Sequence, residues 1–148
     1  MSRLDEIPVR IMPAESAAGQ GQALLHELAH MLDVLLREGR SGMIDLRALP
    51  LAAADFARLR AVLGEGEVHA RIDAMGEASI VETGIPGIWW HTYRSHDGDI
   101  ITEMLETTWC PDILNSQPED VTSGLQRLRE QLTGDAAPSI PAKEEQHA

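Results

Sequence analysis

The stretch from Gly84 to Cys110, GIPGIWWHTYRSHDGDIITEMLETTWC, decides the fold. It holds Trp89, Trp90, Tyr93 and Trp109, and the rest of the chain adds a single aromatic residue, Phe56. Large rings dominate core and interface energetics, so such clustering marks a core keystone or a docking surface. Two runs rich in β-branched and aromatic residues flank His96-Asp97-Gly98-Asp99, and Asp-Gly between such runs signals a hairpin. With Asp97 and Gly98 as the central turn residues, Ser95 faces Ile100, Tyr93 faces Thr102, His91 faces Met104 and Trp89 faces Glu106. Strand alternation puts Trp89, His91, Tyr93, Thr102, Met104 and Glu106 on one face. Trp90, Thr92, Ile101, Glu103, Leu105 and Trp109 fall on or near the other.

Adjacent Trp89 and Trp90 point to opposite faces of a regular strand. If helices cover one sheet face, only one of the two indoles is core. The expectation is that Trp90, with Leu105, packs under the helices. Trp89, His91, Tyr93, Met104 and Glu106 then form an outward face where a partner binds.

Working outward, Val68, Ala70, Ile72 and Ala74 alternate with polar residues as a strand, which Gly76 breaks, and Ser79–Thr83 forms another. Upstream, Leu24, Leu28, Leu32 and Leu35, joined by Leu25, Met31 and Leu36, make an apolar stripe on a helix from about Gln22 to Glu38, ended by Gly39. Residues 13–21 read as a loop and residues 4–12, with Ile7, Val9 and Ile11 alternating, as a strand that Pro8 confines to an edge. Met43–Leu46 is a short strand. A second helix, about Ala52 to Leu63, turns Phe56, Leu59, Val62 and Leu63 inward. The last helix starts near Gln117. Ser116-Gln117-Pro118-Glu119 has the form of a capping box, and Val121, Leu125, Leu128 and Leu132 form its buried stripe. The class is α+β, a mostly antiparallel sheet with helices packed on one face. Residues 1–134 make the domain, and 135–148 are too poor in apolar groups to repay ordering and form a disordered tail.

The formal charge of −12, from 24 acidic and 12 basic residues, repels a phosphate backbone and argues against nucleic-acid binding. It favours a basic peptide partner. The lone cysteine, Cys110, fits a reducing compartment and is expected as a buried structural thiol. No apolar run approaches the roughly 20 residues that cross a bilayer, and the N-terminus carries charges and Pro8 where a signal peptide needs apolar residues. A cytoplasmic protein without membrane insertion is expected.

His26-Glu27-Leu28-Ala29-His30 matches H-E-x-x-H on a helix. Its two imidazoles one turn apart could share Zn²⁺, with Glu27 as base for a metal-bound water. Against this, His26, His30, Asp33 and Arg37 lie opposite the leucine stripe, where an amphipathic helix keeps its polar groups. The third ligand of a metzincin-type extension would fall on Leu36. A small zinc hydrolase therefore stands as the alternative reading. The chain has no phosphate-cradling glycine loop, no G-x-S-x-G and no C-x-x-C; the leading reading, given below, assigns it neither a cofactor nor a catalytic residue.

The segments LLHELAHMLDVLLREG (24–39), IDLRALPL (44–51), GEGEVHARI (64–72), ETGIPGIWW (82–90) and LNSQPEDVTSGLQRL (114–128) resemble the C-terminal domain of the HupH/HyaF family of hydrogenase expression and formation proteins. The resemblance implies a non-enzymatic accessory role in maturation of membrane-bound [NiFe] hydrogenases. It implies chaperoning of a hydrogenase subunit precursor in the cytoplasm, often the small, iron–sulfur subunit with its twin-arginine export signal. A thioredoxin-like hydrogenase accessory protein is the usual companion. Neither the H-E-x-x-H spelling nor Cys110 inherits a role from the family. A homodimer whose hairpin pairs with itself is a third, structural reading.

Overall fold

The computed structural model describes residues 14–134, with side chains from Gly19 onward. The strand expected over residues 4–12 and the tail over 135–148 lie outside the described residues. The described chain divides into two compact units, with the boundary between Pro111 and Asp112.

In the first unit α1 spans Ala14–Glu38, so residues 14–21, expected as a loop, are helical. Alanine, glutamate and serine tolerate a helix well. The helix-weakening Gly21 has a packing reason: a Cβ there would meet the backbone of Asp55 at 3.2 and 3.3 Å. After α1 the chain forms β1 (Gly42–Asp45), a 3₁₀ turn (Leu46–Ala48) and α2 (Ala53–Leu63). Four strands follow, β2 (His69–Ala74), β3 (Gly76–Glu82), β4 (Ile88–Arg94) and β5 (Ile100–Thr107). All pairings among the described strands are antiparallel, in the order β1-β5-β4-β3-β2. The α+β class is therefore correct, and β1, first of these in sequence, closes the sheet beside β5, the last.

The core lies between α1, α2 and one sheet face. Leu28, Leu46, Leu59, Leu63, Ile88, Trp90 and Leu105 are its buried members. Each such side chain contributes about 1.5–3 kcal/mol by leaving water. Trp90 and Leu105 are cross-strand partners and both pack under the helices, as their alternation requires. Leu36 and Val62, expected inward, are exposed. They lie at the edges of stripes wider than the two-helix contact can cover.

The hairpin register matches the sequence reading at its base and differs at its tip. Trp89 pairs with Glu106, His91 with Met104 and Tyr93 with Thr102. Near the turn, however, Ser95 exchanges a backbone bond with Asp99, and Arg94 pairs with Ile100. Ser95 N–H donates to Asp99 O, Gly98 N–H donates to Ser95 O, and Gly98 takes the positive φ of 92°. The loop thus has three residues, His96 to Gly98, a common alternative to the two-residue turn. A bulge between Tyr93 and Arg94 then restores the register of the buried half. Burial of Trp90 and Leu105 fixes the base, since a one-residue slip would turn one of this pair away from the helices.

The second unit contains a 3₁₀ turn (Asp112–Leu114) and α3 (Pro118–Thr133). Proline takes the first helical position, so the cap is Gln117 and no side chain fills the capping role. Ser116 sits one residue too early to close the expected capping box. Val121, Leu125, Leu128 and Leu132, expected as a buried stripe, are all exposed. The spacing gives α3 an apolar face correctly, and its own unit, with a 3₁₀ turn and one described helix, buries none of it.

Candidate functional site

Trp89, His91, Tyr93, Met104 and Glu106 do share a sheet face, the one opposite α1 and α2. Their exposure is not what the alternation suggested. Trp89 is 5% exposed and His91 2%, while Tyr93, Met104 and Glu106 are half-buried. The expectation of an outward Trp89 is therefore corrected. Its Nε1–H donates to Thr108 O at 3.2 Å, two residues beyond its cross-strand partner Glu106, so the polar edge of the ring is satisfied within the fold.

His91 links the polar members of this face. Its Nε2 lies 2.9 Å from Glu106 Oε1 and its Nδ1 3.5 Å from Tyr93 Oη. The network assigns the proton to Nε2, which donates to the carboxylate and leaves Nδ1 to accept from the phenol. Burial pushes the His91 imidazole below its ordinary value, with the Glu106 carboxylate pulling the other way. Burial, followed by the same carboxylate, raises the Tyr93 phenol. This arrangement fixes side chains and favours a neutral imidazole.

The exposed indole is Trp109, at 64%. It follows the end of β5, where alternation no longer assigns a residue to a face. Nearby, Thr108 N–H donates to Gly87 O at 3.0 Å, joining the end of β5 to the loop that contains Ile85 and Pro86. Ile85 is also exposed. Cys110, expected buried, is exposed beside Trp109.

The helix-covered face continues past α2 as an open groove of about 470 Å³. Trp90 and Glu103 line it together with Arg60, Arg94, Glu65 and Glu77. The Arg60 guanidinium carbon stands 4.1 Å from the Trp90 ring centroid. Arg60 Nη2–H donates to Glu103 Oε2 at 3.0 Å, and Trp90 Nε1–H donates to the same oxygen at 3.0 Å. Sequence reasoning placed Trp90 and Glu103 on one face but did not find Arg60. Its partners lie 30 and 43 positions away, and no local pattern encodes that.

His26, Glu27 and His30 lie on the exposed face of α1. Glu27 and His30 line a cleft of about 220 Å³ that His26 does not reach. Among the described residues no three His, Cys, Asp or Glu side chains are grouped to hold a metal ion. The zinc-hydrolase alternative therefore gains no support. None of the described helices is long and apolar enough to cross a membrane.

Fold and site together define a small α+β module with one helix-covered sheet face, a charged groove and an exposed indole at the sheet end. The chain belongs to the family described as the HupH hydrogenase expression protein, C-terminal conserved region, which matches residues 19–134. It is 31% identical over 108 residues to the hydrogenase expression/formation protein HoxQ of Azotobacter vinelandii, covering 70% of this chain and 38% of that protein. It is 30% identical over 122 residues to the hydrogenase-1 operon protein HyaF of Escherichia coli K12, covering 80% of this chain and 42% of that one. The chain thus spans about two fifths of the length of these relatives. A solved structure, the hydrogenase expression protein HupH from Thiobacillus denitrificans, superposes with a TM-score of 0.71 at 37% identity, covering 77% of this chain and 95% of that one.

Proposed function

We propose that this protein acts in hydrogenase maturation by binding a hydrogenase subunit precursor, the small subunit, in the cytoplasm. Its companion there is a thioredoxin-like accessory protein. The observation that carries the proposal is the family match over residues 19–134 to hydrogenase expression proteins. The surface supports a binding role through Trp109, an exposed indole at the end of β5. A large ring left in water is a common anchor of a protein contact. Tyr93, Met104 and Glu106 retain surface for a second contact, and His91 fixes Tyr93 and Glu106 through its two ring nitrogens.

The test is capture of hydrogenase precursor subunits by the tagged chain, with Trp109→Ala beside it. Loss of an anchor ring costs about 2 kcal/mol or more, so capture should weaken by at least about tenfold. Capture that is unchanged in Trp109→Ala would remove the indole from the contact. Failure of the unaltered chain to retain any hydrogenase subunit would remove the function itself.

A further inference from the structure

We propose that Trp90 and Glu103 form a guanidinium-binding box, filled in the free chain by Arg60 and taken over by an arginine on a basic peptide segment of the partner. This rests on the reading that the chain works by binding another protein.

The box already holds a guanidinium in good geometry. One face of the Trp90 ring carries the Arg60 cation at 4.1 Å, and the Glu103 carboxylate accepts its N–H at 3.0 Å. Ring face plus carboxylate is the arrangement that suits a planar, delocalised cation better than an ammonium. The two halves of the ion pair differ in freedom. The Glu103 side chain is 5% exposed and Arg60 is 57% exposed. Trp90 Nε1–H also pins the carboxylate. The anion and ring are therefore fixed, while water can take up the hydrogen bonds of a departing Arg60.

Charge decides what replaces it. The charged residues that line the groove are Arg60, Arg94, Glu65, Glu77 and Glu103. With Arg60 swung out, three acidic residues remain in the lining against one arginine, Arg94, which donates to Gly98 O at 3.1 Å. Glu77 is itself shared with Arg71 at 2.7 Å. A cation is the complementary occupant, in a chain whose net charge is −12. A volume of about 470 Å³ leaves room for backbone beyond one side chain. Arg60 is tethered and so competes at a high effective concentration, which keeps isolated arginine out. A peptide succeeds by adding contacts along the groove.

The experiment is titration of the whole chain at low salt with acetylated tetra-arginine amide, tetra-lysine amide as comparison, followed by calorimetry and by ¹⁵N–¹H spectra. Removing the tethered competitor in Arg60→Ala should tighten tetra-arginine binding by at least about fivefold, since the competitor's occupancy no longer has to be displaced. Glu103→Gln should weaken it by about tenfold, the loss of one charge-assisted bond. Tetra-lysine should bind more weakly than tetra-arginine. In the unaltered chain the Trp90 Nε1–H and Arg60 Nε–H resonances should shift on saturation, a readout that needs no variant to fold. The proposal is overturned if folded Arg60→Ala binds no more tightly than the parent, or if neither protein binds. An unmoved Trp90 Nε1–H at saturation overturns it equally. Peptide binding without capture of any hydrogenase subunit keeps the box and removes the client. Capture that survives in Glu103→Gln, with no peptide binding in any form, keeps the client and removes the box.

Discussion

Asp55 ties the two helices of the first unit together, and its replacement gives the sharpest stability test. The side chain is fully buried. Its Oδ1 accepts the Gly21 N–H of α1 at 2.9 Å, and its Oδ2 accepts the Ala52 N–H at the start of α2 at 2.9 Å. The two bonds are unequal. Gly21 lies inside α1, where helix geometry offers a carbonyl four residues back, so its share is about 1 kcal/mol. The Ala52 N–H lies at a helix start, where no such carbonyl exists, and losing a charged acceptor there costs about 1–3 kcal/mol. Asp55→Ala should thus destabilise by about 2–4 kcal/mol, lowering Tm by about 6–20 °C for a domain of this size. Asp55→Asn should cost almost as much, because its NH₂ must face one of the two N–H donors. Urea unfolding followed by tryptophan fluorescence reads the first unit, which contains all three indoles. If both variants cost less than about 0.5 kcal/mol with an unchanged m-value, the carboxylate does not hold the helices and the reasoning fails.

Two further outcomes follow from the sheet. Burial lowers the folded-state affinity of His91 for a proton below that of the unfolded chain, whose ordinary value is 6.5. The associated stability is therefore fully present above that value and is lost as pH falls through it toward the folded-state value. Urea midpoints measured from about pH 8 to about pH 5 should fall more steeply for the parent than for His91→Gln, and equal slopes would contradict this. Gly76 has φ 137°, and a Cβ there would sit 2.5 Å from Arg94 O, a backbone atom of the neighbouring strand. Gly98 has φ 92° with nothing within 4 Å. Gly76→Ala should cost at least about 2 kcal/mol and Gly98→Ala about 1 kcal/mol by thermal unfolding, and the reverse order would be inconsistent with the close approach.

The sequence was most informative where one local requirement outweighed the rest. The pairings Trp89–Glu106, His91–Met104 and Tyr93–Thr102 could be read from alternation plus a turn signal. A slip would bury polar groups and expose rings along the whole hairpin. The loop itself was misjudged by one residue, because a two-residue and a three-residue Asp-Gly turn differ little in sequence. The bulge that reconciles them is a demand of the sheet. The start of α1 was missed for a related reason. Gly19 and Gly21 weaken a helix in isolation, and only the approach of α2 shows why Gly21 is there.

What the sequence determined by itself is local pattern: three amphipathic helices, the alternating strands of the described sheet, the register at the base of the hairpin, and the motifs of the family to which residues 19–134 belong. Tertiary structure alone decided which periodic faces are covered. It buried Trp89 and left Trp109 in water. It also brought Arg60 onto Trp90 and Glu103, and Asp55 onto Gly21. The physical reason is common to all of these. Periodicity is a property of neighbours along the chain, whereas burial and ion pairing depend on which distant segment arrives opposite. The stretch from Gly84 to Cys110 therefore announced three indoles but could not say which one the fold would leave exposed.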